Sequence, residues 1–171
     1  AYATLSDVDE PTIRSRSLDR ISEAAGSEEL LVGQHRDLQY ENADPSADQV
    51  LRMYRRKTGA LLGLAMELGA ISAELPLEQS RTYRDLGTDL GVAFQIQDDL
   101  LEEDKQTETL GKSTGSDQTS NKRTYPRLVG TTEARRKAEV LINRSRQKLE
   151  ELTLDTERII RLADFIIERT Y

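Results

Sequence analysis

The sequence predicts an all-α protein, and three observations predict it. Leucine, alanine, glutamate and arginine are abundant, which favours helix over strand. Glycine and proline are sparse, with 10 and 4 residues, and aromatic residues make up only 5% of the chain. Apolar side chains recur mainly at intervals of three and four, the period of a helix face. With 171 residues, 36% hydrophobic and 32% charged, the chain is expected to form one helical domain over residues 1–171.

Residues 1–5 show apolar side chains with no capping residue ahead of them, so they read as the last turn of a helix. A turn over Asp7 to Pro11 leads into a loose stripe of Ile13, Leu18, Ile21, Ala24 and Ala25, which Gly26 and Ser27 interrupt. Leu30, Leu31, Gly33, Gln34, Asp37 and Leu38 continue helically until a polar stretch containing Pro45. From about Ala47 to Ser72 a long helix is expected. It is apolar around most of its circumference and therefore predicted to be central. Pro76 fits the first turn of a further helix running to about Glu103. Large aliphatic residues then almost vanish, with Leu110 alone between Leu101 and Tyr125, and residues 103–124 are expected to form a mobile loop. Two amphipathic helices follow, roughly Glu133 to Leu152 and Asp155 to Arg169.

The formal net charge of -7 opposes nonspecific attraction to nucleic acid or to an anionic membrane surface. The chain has no cysteine, which excludes disulfides and thiolate metal sites and fits a cytoplasmic location. The longest apolar stretch, Gly59 to Ile71, is interrupted by Glu67 and too short to cross a bilayer, and no signal sequence opens the chain.

The segment from Gly91 to Glu103 carries the chemistry. On a helix, Gly91, Gln95, Asp98 and Glu102 share one stripe, while Leu90, Ala93, Phe94, Leu100 and Leu101 point elsewhere. Such a stripe fits a wet cavity inside a bundle, with Asp98 facing inward near Lys57; its spacing fits an ordinary solvated face as well. Stacked carboxylates repel unless a cation lies between them, and oxygen ligands favour Mg²⁺ or Ca²⁺ over zinc. A di-iron carboxylate bundle needs Glu-x-x-His pairs, and the single histidine, His35, reads as a surface or hydrogen-bonded residue rather than a ligand. Lys57, followed by Thr58, opens the most apolar segment, where an ammonium wants an anionic partner or must snorkel to water. The polar loop holds Gly111, Lys112, Gly115 and Lys122, a composition suited to closing over phosphate and equally common in plain surface loops.

In order along the chain, Gly33-Gln34 with Asp37-Leu38, Lys57-Thr58, Phe94-Gln95-Ile96 with Asp98-Asp99, Leu110-Gly111-Lys112, Gly115 with Asp117, Lys122 and Thr124-Tyr125-Pro126 resemble the C-terminal half of trans-isoprenyl diphosphate synthases. The resemblance implies an isoprenoid-synthase-type helical bundle and a prenyltransferase using Mg²⁺. Asp98 would bind the metal, with Asp99 and Glu102 in support. Lys57, Lys112 and Gln95 would contact an allylic diphosphate, with Thr58 close by and Lys122 in the same cationic flap over the active site. The family ionises the allylic diphosphate with three Mg²⁺ ions, and isopentenyl diphosphate attacks the resulting cation.

Glu102 stands where the family's motif usually ends in aspartate, which keeps the charge but shifts the carboxylate. Nothing in the chain matches the family's first aspartate-rich motif or its basic isopentenyl diphosphate site, which belong to the N-terminal half. The expectation is therefore a synthase whose N-terminal half is absent from this chain, inactive as a fragment and homodimeric when whole. The alternative is a noncatalytic helical subunit or degenerate homologue that partners a synthase.

Overall fold

The computed structural model describes residues 2–110, 122–152 and 156–168, and among these every regular element is helical. Helix α1 (Tyr2–Ser6) is one short turn. Helix α2 (Pro11–Ala25) begins with proline in its first turn and with the Glu10 carboxylate accepting the Ile13 N–H. Its buried Ser17, Ile21 and Ala24 lie on one face. Helix α3 (Leu30–Tyr40) follows the predicted break and buries Gly33.

Helix α4 (Ala47–Tyr54) opens on a reciprocal cap. Gln49 N–H donates to Ser46 Oγ at 3.3 Å, and Ser46 N–H donates to the Gln49 side chain at 2.7 Å. The backbone then widens into a π-helical turn, Arg55–Gly59, and continues without a break as α5 (Ala60–Ser72). The expected helix over 47–72 is thus present, with one turn of different pitch. That turn holds Lys57 and Thr58, and π turns inside helices frequently mark functional positions.

Helix α6 (Leu77–Leu110) is the longest element and packs most extensively on α5 and α8. It corrects the reading of the sequence twice. The helix runs to Leu110, so residues 103–110 of the expected loop are helical, and those from 111 to 121 lie outside the described residues. The central helix is also α6, not the 47–72 segment: residues 86–93 are all buried, whereas Leu61, Ala65 and Gly69 of α5 are exposed. The reason lies in close crossing. A Cβ on Gly87 would lie 2.6 Å from Leu62 O, and one on Gly91 would lie 2.6 Å from Gly59 Cα. Small residues let the two backbones touch, and Leu86, Leu90, Val92, Ile96 and Leu100 of α6 fill the core around that crossing.

Helices α7 (Tyr125–Val129), α8 (Thr131–Glu150) and α9 (Glu157–Glu168) complete the fold, the last two within a few residues of the predicted bounds. Val50, Met53, Leu90, Ile96, Leu100 and Ile142 sit in the main core, and Met66 and Ile159 join it to a second cluster around Leu86 and Leu149. Two carboxylates are buried with arginine partners. Glu67, 1% exposed, accepts from Arg20 at 2.9 Å, and Asp89 accepts from Arg144 at 3.0 Å and Arg55 at 3.4 Å. Leu31, Leu38 and Leu61 remain exposed. Among the described residues no helix is long and apolar enough to cross a membrane.

Candidate diphosphate site

Gly33 explains how Lys57 is placed. A Cβ on it would lie 2.4 Å from Lys57 N and 2.8 Å from Arg56 C, so only glycine lets α3 rest directly on the π turn. One helical turn later, Asp37 accepts a hydrogen bond from Lys57 Nζ, both side chains being largely buried. The lysine thus has the anionic partner that its position demanded, and that partner is the aspartate of the Gly-Gln-x-x-Asp-Leu segment.

From the same π turn, the Thr58 hydroxyl donates to Gln95 Oε1 of α6 at 2.7 Å, and Gln95 Nε2 donates to Asp99 Oδ1 at 3.2 Å. The other Asp99 oxygen accepts from the Tyr54 hydroxyl, which in turn accepts the Tyr125 N–H at 2.9 Å. Asp99 is 9% exposed, and burial pushes its carboxyl up to about 6 against the opposing effect of the two hydrogen bonds. Burial, reinforced by the neighbouring Asp99 charge, raises Tyr54 far above the ordinary tyrosine range, so its hydroxyl stays a donor. Lys57, Gln95, Asp99, Lys122 and Thr124 line one cleft with Asp37 and Tyr54. Its volume is about 20 Å³, room for little more than a water. A group the size of a diphosphate does not fit inside the cleft as it stands.

The structure brings Lys57, Thr58, Gln95, Asp99 and Lys122 together. It does not bring Asp98 into the cleft: Asp98 and Glu102 are exposed, one turn apart on α6, and the α6 carboxylate that lines Lys57's cleft, beside Asp37 of α3 and Glu41 at its end, is Asp99. The expected stripe thus runs from buried Gly91 through half-buried Gln95 to solvent. Asp98 sits at its outer edge, on a face that no described helix covers. Lys112 lies outside the described residues. His35 is exposed, as expected of a surface histidine.

Tyr54 was legible in the sequence only as a core aromatic; no spacing signal marked it as a hydrogen-bonding hub. A larger cleft of about 390 Å³ lies between α2, the π turn and α6 and is lined by Arg20, Arg52, Arg55, Arg56 and Arg84. Four of these pair with carboxylates, Arg20 with Glu67, Arg55 with Asp89, Arg56 with Glu29 and Arg84 with Asp85, so its charge is largely compensated.

The sequence profile of the polyprenyl synthetase family matches residues 1–160. The farnesyl diphosphate synthase of Escherichia coli is 40% identical over 177 aligned positions, covering 99% of this chain and 59% of that protein. The farnesyl diphosphate synthase of Bacillus subtilis is 34% identical, over 92% of this chain and 53% of its own length. The chain therefore spans a little over half the length of these curated relatives. Among solved structures, a decaprenyl diphosphate synthase from Rhodobacter capsulatus matches with a TM-score of 0.75 at 27% identity, over 92% of this chain and 60% of that one. A geranylgeranyl pyrophosphate synthetase from Pyrococcus horikoshii shares the fold, with a TM-score of 0.79 at 23% identity over 99% of this chain and 63% of its own.

Proposed function

Because the chain belongs to the polyprenyl synthetase family, we propose that the protein carrying it is a trans-prenyltransferase that joins an allylic diphosphate to isopentenyl diphosphate with Mg²⁺ as cofactor. The observation that supports this reading is the convergence of Lys57, Gln95 and Lys122, from three separated segments, on one cleft, with the exposed carboxylates Asp98 and Glu102 on the same helix as Gln95.

Among the described residues, no group of three or more histidine, cysteine, aspartate or glutamate side chains is arranged to enclose a metal. The chain presents an open carboxylate edge instead. Asp98 and Glu102 offer oxygen donors only, and such an edge suits Mg²⁺, which takes one or two carboxylates and completes its shell with water and substrate phosphates. Asp98 and Glu102 would hold it. When bound, Mg²⁺ supplies positive charge that stabilises the diphosphate as a leaving group.

The side chains perform the rest. Lys57 takes diphosphate oxygens in exchange for Asp37, and pairing with Asp37 keeps the ammonium oriented toward the cleft meanwhile. Gln95 has its amide orientation fixed from both ends, by Thr58 at Oε1 and by Asp99 at Nε2, which leaves a second N–H to donate to the ligand. Lys122 adds charge from the far side, and Lys112 joins it by resemblance to the family. Exposed Leu31, Leu38 and Leu61 provide apolar surface along which an isoprenoid chain can exclude water. The proposed assembly is a homodimer, which sedimentation of the protein tests as twice the chain mass.

The test is turnover by the protein expressed from its full open reading frame, supplied with labelled isopentenyl diphosphate, an allylic diphosphate and Mg²⁺. An elongated prenyl diphosphate is the expected product. Absence of product from short and long allylic primers alike would sink the reading and favour a noncatalytic partner subunit.

A further inference from the structure

Tyr54 is the last residue of α4, immediately before the π turn, and is 3% exposed. Its hydroxyl does two things at once. It donates to Asp99, 45 residues away in sequence, and accepts the N–H of Tyr125, 71 residues away, at 2.9 Å. Tyr125 is the first residue of α7, and the first N–H groups of a helix have no acceptor within it. Thr124, at the capping position, provides no side-chain hydrogen bond. The Tyr54 hydroxyl therefore caps α7 in place of the usual neighbouring side chain.

The same contact fixes Asp99. One of its oxygens is held by Tyr54 and the other by Gln95, whose carbonyl is held by Thr58. A carboxylate with both oxygens turned inward and hydrogen-bonded is poorly placed to ligate an ion outside. We propose that Tyr54 is a positioning residue that ties Asp99 to the segment returning at residues 122–125, making Asp99 the internal anchor of Gln95 and Lys122 and leaving the metal to Asp98 and Glu102. The ligand that Gln95 and Lys122 then meet, an allylic diphosphate, rests on the function proposed above.

Tyr54→Phe keeps the ring in the core and removes only the hydroxyl. It leaves a buried carboxylate with one partner fewer and a buried helix-start N–H with none. Two measurements on the full-length protein test the clasp. In hydrogen–deuterium exchange, amides of the 122–125 segment should exchange about tenfold faster in the variant, the equivalent of one buried hydrogen bond, with α8 unchanged. In steady-state kinetics, KM for the allylic diphosphate should rise about tenfold, with KM for isopentenyl diphosphate nearly constant. Unchanged exchange at 122–125 overturns the proposal, and so does faster exchange with no change in either KM.

A second pair separates anchor from ligand. Asp99→Asn should retain much of the Mg²⁺-dependent turnover that Asp98→Asn loses; equal losses would assign Asp99 to the metal and overturn the anchor. A wild-type protein without turnover would refute the proposed function, and the exchange measurement alone would then uphold or overturn the clasp.

Discussion

Replacing Gly33 by alanine sets two known quantities against each other. A glycine in a helix costs about 1 kcal/mol relative to alanine, so the substitution should stabilise α3 if nothing else changed. The new Cβ, however, would lie 2.4 Å from Lys57 N, 2.7 Å from Lys57 Cα and 2.8 Å from Arg56 C. Carbon contacts settle near about 3.5–4.0 Å, so α3 has to retreat by roughly 1 Å from the π turn. All three obstructing atoms are backbone and have no rotamer to escape into. Overpacking of this kind costs about 3 kcal/mol at its upper end, which leaves a net loss of about 2 kcal/mol. Gly69 supplies the opposite case within the same fold. It lies exposed in α5 with nothing beyond its own helix backbone within 4 Å of its Cβ position, so Gly69→Ala should gain about 0.5–1 kcal/mol. Urea unfolding of both variants reads the difference. The allylic diphosphate KM should rise only in Gly33→Ala, because the retreat shifts Asp37 from Lys57. A Gly33→Ala protein as stable as wild type would refute the close approach of α3 and the explanation of Lys57's placement with it.

Four further substitutions probe the charges. Arg20→Ala strips Glu67, 1% exposed, of its hydrogen-bonded guanidinium and should cost about 3–5 kcal/mol in urea unfolding. Adding Glu67→Gln should restore much of that loss, since the penalty is chiefly an uncompensated buried charge. Asp99 has its pKa raised to about 6 by burial, so the fold holds its proton more tightly than the unfolded chain does. Its contribution to stability is fully present below about 4 and is lost as pH rises through 6. Asp99→Asn should therefore flatten the fall in stability between pH 4 and 6 relative to wild type; an unchanged slope would contradict the raised pKa. Asp98→Ala, at an exposed position, should abolish turnover of the full-length protein while its circular dichroism stays that of wild type.

The helices were legible where their bounds rest on local chemistry, as with Pro11 in a first turn and the turn residues at Gly26; the Ser46–Gln49 cap emerged only from the structure. What the sequence hid was tertiary. The apolar 47–72 segment read as the central helix, yet residues 86–93 of α6 are all buried, with Gly87 and Gly91 allowing a close crossing that hydrophobicity does not register. The π turn at Arg55–Gly59 has no periodic signature short enough to be seen in one sequence. At the site, the motif residues were legible as a set, and Lys57, Gln95 and Lys122 do share a cleft. Which aspartate faces inward was not legible. Adjacent positions on a helix differ by about 100°, and the arc of α6 that is covered depends on helices packed from elsewhere in the chain.

Calorimetric titration of inorganic diphosphate into the full-length protein, with and without Mg²⁺, isolates the ion-binding step from all later chemistry. Saturable binding that requires Mg²⁺, and that is markedly weakened in the Asp98→Ala, Glu102→Ala double variant, is the predicted result. Binding of equal strength without Mg²⁺, or undiminished in the double variant, would contradict a diphosphate held through the carboxylate edge of α6.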